Sequence, residues 1–509
     1  MTIYARVGKR SSTKRASPKE MRAFVVLVFL CVLAAVRSEL SSSTLDTDSF
    51  ARLDVETLFA TCPSDAGGGR CQARVLRNVC LVQETVIVFD ADAADAHPDG
   101  VDAGPLSGFD VTDVAWWYRH AGPAHVDEML HAPPHPHNHS STVLGHQINY
   151  PPIAARYAAP HEFDASPTFN DATIPVVVYS PWLMNLAETA IRVPTLLMKL
   201  EDAWAGARVA AATPLKLPID SFVKSFIAPF TDEETTSFAE LSALRMDSNL
   251  TEHEACYSNV IFLKVKNGAY PELPALGQRI AQFYETVTPA SPWKTSDASV
   301  TRIVFETRPN KSMRQFIGLK DVLDACAREA SLECEAHEFG ISLPADIARM
   351  KHADVLVAYH GAGETNSIFM RRHASILEIR GKDFGTKHGW WAALWWPMIS
   401  LQTEQHVFFW GLNVEDESLN TNSPLEQEGL ENNEGFNARD RFVTLQWGYV
   451  KRMLDKIIAV KRDVSTYRDI YGKFGTGVVF TWTGGELAQE PPIFCNGECT
   501  HDSLDCKKC

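Results

Sequence analysis

The chain of 509 residues is poor in positive charge: 48 Lys and Arg face 63 Asp and Glu, for a formal net charge of −15 at pH 7. That deficit argues against a nucleic-acid phosphate track as the main business, since such a track needs a cationic surface. No Gly-rich loop ending in Lys-Ser/Thr occurs, which disfavours ATP hydrolysis. There is no Gly-x-Ser-x-Gly turn either, so a hydrolase using His360 as base lacks its nucleophile elbow. Beyond residues 23–36, no run in the chain could span a membrane. Wholesale disorder and a fibrous repeat are excluded by a composition 45% hydrophobic and 22% charged, at a length suited to two or three domains.

What is present begins with a basic leader. Arg6, Lys9, Arg10, Lys14, Arg15, Lys19, Arg22 and Arg37 stand against Glu20 alone in residues 1–38, so the acidic excess lies in the rest of the chain. The apolar run AFVVLVFLCVLAAV (residues 23–36) then has the length of a signal-peptide core. Starting from Met21 it reads as a cleavable signal, and from Met1 as an uncleaved anchor with the C-terminus lumenal. Either reading predicts a secretory-pathway protein of the Golgi or endoplasmic reticulum lumen, type II or secreted, touching membrane only through this segment. Outside the run, ten cysteines form an even set, for which an oxidising lumen favours disulfides, so the tail at Cys495, Cys499, Cys506 and Cys509 reads as disulfide-stapled rather than as a zinc knuckle. The pairing does not follow from the sequence. Asn138, Asn249 and Asn310 fit the N-glycosylation pattern.

Residues 1–38 thus form tail and signal, and 39–82 a polar stem running into the first ordered element. His131, His135, His137, His139 and His146 crowd a Pro-rich stretch that reads as an exposed loop rather than a catalytic metal site. Ile174–Ser180 and Asn259–Val265 are strand-like, and Met184–Leu200 is helical, with Pro194 expected to kink or divide it. Residues 286–299 read as a linker. From residue 301 strand and helix alternate: Arg302–Phe305, Leu319–Ala330, Leu332–Phe339, Leu343–Met350, Val355–Ala358, a helix starting at Thr365 and Ile376–Ile379. Such a βαβαβαβ run predicts a parallel sheet covered by helices. Asp416–Asn437 is acidic and expected to be looped, and a late helix carries Phe442, Leu445, Tyr449, Met453 and Ile457 on one side.

The strongest local signal is residues 353–370, ADVLVAYHGAGETNSIFM, a buried strand ending in a small-residue turn that opens a helix. Ligands of such sheets bind at the carboxyl ends of strands, where His360 is placed. Gly361, Ala362 and Gly363 let backbone approach a bulky anion, Thr365 or Asn366 is placed to cap the next helix, and the helix start favours phosphate. Glu378 ends the following strand and suits the hydroxyls of a ribose. Arg308 and Arg314, after the first strand of the run, suit a diphosphate. Together they predict a nucleotide-diphosphate site. Trp390, Trp391, Trp395 and Trp396 read as packing or as stacking surface for a sugar.

At these residues the sequence resembles glycosyltransferase family 61, over about residues 170–410 and most closely from Thr301 to Gly381. The stretches TRIVFETRPNKSMRQFIG (301–318), ADVLVAYHGAGETNSIFM and ASILEIRG (374–381) follow the family's order, and Cys256 in HEACYSNVIFLKV (253–265) looks like its Cys-containing segment. The resemblance implies an α/β protein of GT-B type, with two Rossmann-like doubly wound domains facing across a cleft. Here these would be an acceptor-side domain at 83–285 and a nucleotide-sugar domain at 301–415, followed by an acidic loop, packing helix and Cys-rich tail at 416–509. It implies a nucleotide sugar, usually a UDP-sugar, as donor and a glycan or glycoprotein as acceptor, with hexose or pentose transferred. No further cofactor is firmly implied, a divalent metal is left open, and oligomeric state is not indicated. Three positions depart from the family's pattern. Glu364 replaces an apolar residue and is expected to face solvent or pair with an Arg; Glu188 and Arg192 stand where the family has His and Asp. The expected assignment gives the diphosphate to Arg308, Arg314 and the 360–365 turn, ribose to Glu378, and catalytic roles to His360 and Glu188, the latter on the acceptor. The rival reading is a catalytically silent secreted carbohydrate-binding or scaffold protein on the same fold.

Overall fold

The computed structural model describes residues 73–90, 153–159, 167–179, 186–203, 208–214, 221–231, 235–243, 256–265, 273–294, 299–308, 313–388, 407–427, 434–471 and 478–490, the short pieces 105–106, 115–118 and 146–149, and positions 162 and 297. All lie in one compact unit, Leu53–Cys509. The leader, His131 to His139 of the histidine-rich stretch, the three glycosylation patterns, the tryptophan cluster and the terminal cysteines fall outside the described residues, while His146 begins a short strand.

In chain order the first half gives β1 (Ala73–Val82), β2 (Thr85–Val88), β3 (Ala115–Tyr118), β4 (His146–Asn149), β5 (Ala154–Tyr157), β6 (Thr173–Tyr179), α1 (Leu186–Ala203), β7 (Arg208–Thr213), α2 (Ser221–Ile227), β8 (Thr236–Ser237), α3 (Phe238–Ala243), β9 (Cys256–Lys264) and α4 (Leu273–Phe283). Apart from β3 and β4, which pair with each other, the strands form a seven-stranded sheet of order β5-β2-β1-β9-β6-β7-β8. Neighbours from β9 to β8 are parallel, but β1 is antiparallel to both β2 and β9. The sheet is therefore mixed, where a doubly wound sheet was expected. The cause is local. Gln83 and Glu84 both take positive φ (48° and 62°), the backbone of a two-residue hairpin turn, and this folds β2 back on β1. The last ten residues assigned to the stem, Ala73–Val82, form an interior strand, with Val79, Cys80 and Leu81 buried. A disulfide joins Cys80 to Cys256 across the β1–β9 ladder.

Helix α1 runs undivided through Pro194. Pro removes one helical hydrogen bond, but Val193, Leu196, Leu197 and Leu200 are all buried in the core, and each such side chain contributes about 1.5–3 kcal/mol.

The second half follows the predicted alternation: β10 (Thr301–Thr307), β11 (Phe316–Ile317), α5 (Leu319–Cys326), β12 (Leu332–Glu338), α6 (Leu343–Met350), β13 (Val355–Tyr359), a 3-10 segment (Ala362–Phe369), β14 (Ala374–Arg380), α7 (Phe384–Lys387) and β15 (Val407–Val414). A second disulfide, Cys326 to Cys334, ties α5 to β12. Asp416–Asn437, expected as loop, contains β16 (Asn420–Thr421), α8 (Pro424–Gln427) and the start of α9 (Glu434–Asp440). After β17 (Phe442–Thr444), α10 (Trp447–Ala459) and α11 (Val464–Tyr471), the chain returns to the main sheet as β18 (Val478–Thr483) and β19 (Glu486–Gln489). The second sheet has the order β12-β10-β13-β14-β15-β18-β19, parallel throughout except for the last pair.

Its strands alternate between two cores, as buried parallel strands must. Ile303, Phe305, Val357 and Leu377 belong to the core that includes Tyr449, Met453 and Leu454 of α10. Val304, Leu356, Ala358 and Ile376 belong to the other, which also holds Leu196 of α1, Leu276 of α4, Ile347 of α6, and Val176 and Ile261 of the first sheet. One hydrophobic core thus joins residues of both sheets, and the 3-10 segment, through Ile368 and Phe369, is part of it.

Candidate functional site

In the second sheet, β10 has β12 on one side and β13 on the other, so the winding reverses between β10 and β13. A crevice opens at the carboxyl ends of the strands at such a point, and ligands of open α/β sheets bind there. Arg308 follows β10, and His360, Gly361 and the 3-10 segment follow β13. The fold therefore brings the arginine loop and the small-residue turn together.

They meet around one glycine. Arg308 donates from Nη2 to the Tyr359 carbonyl at 3.3 Å, and Arg314 from Nη1 to the His360 carbonyl at 3.0 Å. A Cβ on Gly361 would lie 2.6 Å from Arg314 Nη1 and 2.7 Å from Arg308 Nη2, and Gly361 has φ +150°, so only glycine suits the position. Arg314 itself sits at φ +63°; its amide donates to the Asp440 carbonyl at 3.2 Å and its Nε lies 3.5 Å from Asp440 Oδ1. Behind them Glu306 pairs with Arg308 at 3.0 Å and accepts from the Tyr359 amide at 3.1 Å. Burial pushes the Glu306 carboxyl up, against the pull of Arg308 and Arg314. Gly363 makes room for it, since a Cβ there would lie 2.2 Å from Glu306 Oε1.

The second cluster lies on the face of β14 that carries Ala374 and Ile376, beside Ala358 of β13. Glu378 is wholly buried; its Oε1 meets His360 Nδ1 at 3.2 Å and accepts from Arg380 Nε. Burial alone would push Glu378 up, but Arg380 and then His360 outweigh it and hold the carboxyl down to about 2. His360 is 4% exposed, and burial pushes its imidazole down despite Glu378. It is therefore neutral at pH 7. An anionic Glu378 only accepts, so Nδ1 carries the hydrogen and Nε2 keeps its lone pair. The ring packs against Phe384 at 4.8 Å.

Glu364, expected at solvent or on an arginine, is 0% exposed and turned inward. Its Oε1 accepts the Gly361 amide at 3.1 Å, and its carboxyl lies beside that of Glu378, a ligand atom of each within 4.8 Å of the other. Burial and the neighbouring Glu378 raise its carboxyl well above the ordinary range. The expectation failed because Gly361, not Thr365 or Asn366, is the N-cap: the helix begins three residues earlier than predicted, with 3-10 winding, which places position 364 on the core side. Thr365 and Asn366 are fully buried within the segment, and Asn366 donates from Nδ2 to the Gly363 carbonyl at 3.1 Å.

Of the predicted residues, then, Arg308, Arg314, His360, Gly361, Ala362, Gly363 and Glu378 share one edge of the sheet. Glu188 lies in the first turn of α1, with its side chain outside the described residues. Sequence reasoning missed Glu306, Arg380 and Asp440. The first two carried a signal, as charged residues inside otherwise apolar strands; Asp440 carried none. Among the described residues, His360, Glu364 and Glu378 are the acidic and imidazole groups whose ligand atoms approach metal-site spacing, all within 4.8 Å. Glu378 Oε1 already accepts from Arg380 there, and a guanidinium in contact opposes a second cation.

Residues 169–377, which include the arginine loop, the glycine turn and β14 as far as Leu377, match the model of the Glycosyltransferase 61 family. Over 66 residues the chain is 39% identical to the β-1,2-xylosyltransferase XAX1 of Oryza sativa subsp. japonica, a segment spanning 13% of this chain and 12% of that protein's length. A glycosyl transferase family 9 crystal structure from Veillonella parvula DSM 2008 aligns with a TM-score of 0.24 at 11% identity, covering 57% of this chain and 98% of that one. The family 61 match falls on both sheets, from the residue before the Asn170 bridge to Leu377, midway along β14.

Proposed function

We propose that the chain is a glycosyltransferase that moves a sugar from a nucleotide sugar, most simply a UDP-sugar, to a hydroxyl of a glycan or glycoprotein in the secretory pathway. The observation that carries this is the convergence of Arg308 and Arg314 on the Gly361 turn at the switch point of a parallel sheet. Two guanidinium groups fixed on neighbouring carbonyls suit a diphosphate, with the amides of Ala362 and Gly363 completing the anion site. The two sheets would serve as the halves of a GT-B-type enzyme. Two disulfides between strands or between helix and strand agree with an oxidising compartment. Among the described residues no helix is long and apolar enough to cross a membrane.

In the reaction the C1–O bond to the diphosphate breaks while the acceptor oxygen bonds C1 and gives up its proton. The arginines stabilise the charge that develops on the departing diphosphate. Neutral His360, with Nδ1–H held by Glu378, offers Nε2 as the base, in the manner of a carboxylate-oriented imidazole. Glu378 acts in this reading as the group that orients His360, since its burial withdraws it from a ribose. Glu188 remains the second candidate base, and its substitution by Gln with retention of turnover would assign the step to His360.

Thermal unfolding of the full chain with UDP, GDP, UDP-GlcNAc, UDP-xylose and UDP-arabinose, with and without manganese, tests the donor. A ligand at a hundred times its Kd stabilises by about 2.7 kcal/mol. Selective stabilisation by UDP and one UDP-sugar is expected. No shift with any nucleotide would leave the silent carbohydrate-binding reading in its place.

A further inference from the structure

Glu364 is the departure from the family's pattern that the proposed reaction does not use. Its Oε1 accepts from the Gly361 amide at 3.1 Å, while its Oε2 meets no N–H or O–H donor although it is buried. Glu378 is in the same position on the other side: Oε1 is taken by Arg380 and His360, and Oε2 is buried without such a donor. Ligand atoms of the two carboxyls lie within 4.8 Å of each other, and two buried carboxyls with an idle oxygen apiece can satisfy one another only by sharing a proton.

The local charges agree. Glu378 pairs with Arg380, Glu306 with Arg308, and Asp440 with Arg439 and Arg314, while among the described residues no cation pairs with Glu364, which is 0% exposed. The helices packed against the 3-10 segment, α1, α4 and α6, carry Arg192, Lys199, Glu201, Arg279, Asp346 and Arg349. β13 adds Tyr359, and the charges that act on Glu364 most strongly are those of Glu378 and Glu306, both of which disfavour its ionisation.

We propose that Glu364 is a positioning residue held as a neutral carboxylic acid, donating its proton to Glu378 while its other oxygen accepts the Gly361 amide, and that it thereby fixes the pose of His360 and closes that amide to the donor phosphate. The second consequence rests on the donor-site reading above; the first does not. Since Gly361 N–H is occupied, the diphosphate is left to Arg308, Arg314 and the amides of Ala362 and Gly363. Loss of the proton would set two carboxylates side by side, push Glu364 off Glu378 and free the turn.

The test needs no nucleotide. Full-chain wild type and Glu364→Gln are unfolded with denaturant from pH 5 to 8. Gln keeps both contacts, a carbonyl oxygen for Gly361 and an N–H donor for Glu378, so the variant folds. A carboxyl protonated only in the native state makes stability fall as pH rises, by the equivalent of one proton. Glu364→Gln is expected to lose about one proton's worth of that slope. The imidazole nitrogens of His360, followed by 15N NMR, are expected to keep the Nδ1–H tautomer in Glu364→Gln and to lose it in Glu364→Leu. An unchanged pH slope in Glu364→Gln would overturn the proposal, as would an unaltered His360 spectrum in Glu364→Leu. So would one equivalent of divalent metal in the purified wild type that disappears in Glu364→Gln. Failure of UDP to bind overturns the donor reading and leaves these measurements as they stand.

Discussion

Arg314 donates from Nη1 to the main-chain carbonyl of His360 at 3.0 Å, tying a loop after the first strand of the second sheet to the residue that follows its third. The same guanidinium crowds the α-carbon of Gly361, and its backbone is held at positive φ by Asp440. One side chain therefore couples the arginine loop, the glycine turn and α9.

Arg308→Ala and Arg314→Ala should each weaken UDP binding. A hydrogen bond to a charged partner contributes about 1.5–3 kcal/mol, so a loss of roughly tenfold to a hundredfold is expected by calorimetric titration. Lys should not restore it, because a point charge cannot reproduce the fork resting on the Tyr359 and His360 carbonyls. Wild-type affinity in both Ala variants would remove the diphosphate assignment.

Gly361→Ala places a Cβ between two guanidinium groups at a backbone angle that side chains avoid. A cost of about 1–3 kcal/mol is expected from the backbone alone, together with displacement of both arginines. The check is chemical denaturation alongside UDP titration, in which stability and affinity should fall together.

Glu378→Ala removes the buried carboxylate that accepts from Arg380, and breaking such a pair costs about 3–5 kcal/mol. Because Arg380 and His360 hold Glu378 down to about 2, below its ordinary 4.5, the stability it supplies is complete above that ordinary value and is lost as pH falls towards 2. Glu378→Gln should flatten this acid limb in denaturant melts recorded between pH 5 and 2.5. A limb of wild-type steepness in the variant would mean that another carboxyl is responsible.

The disulfides Cys80–Cys256 and Cys326–Cys334 should appear as linked peptides after digestion without reductant. Replacing Cys80 and Cys256 by Ser should cost about 2–5 kcal/mol, most of it through the freedom returned to the unfolded chain. Linked peptides of any other pairing for these four cysteines would contradict the fold.

Four strands of the second sheet, β10, β12, β13 and β14, were legible because they alternate with helical patterns over short connections, and Leu343–Met350 was placed to the residue, whereas β15, β18 and β19 were not foreseen. The first sheet was less so. Its hairpin turn is Gln83-Glu84, which lacks the Asn or Gly that marks such turns, and a strand with Arg74 and Arg77 between its apolar residues read as stem. The site's members were found because glycine, arginine and histidine stand at strand ends. Their relations were not, because burial decides them: Glu364 looks like a surface residue beside Thr and Asn, and only the 3-10 winding from Ala362 turns it inward. Likewise, Glu378 matched the position of a ribose carboxylate, but Arg380, two residues along the same strand, lies on the same face and claims it.

The first sheet also sets an order of events during synthesis. β1 lies between β2 and β9, and 176 residues separate Cys80 from its partner Cys256. A chain emerging N-terminus first holds the β1–β2 hairpin with one edge unpaired until β9 has been made, about 9–35 s later at ordinary elongation speed. Through that interval Cys80 is a thiol without its mate, with Cys62 and Cys71 the nearest alternatives along the chain. The native bond becomes possible only once both sides of the ladder exist, so a bond that Cys80 forms sooner must exchange before the sheet can close.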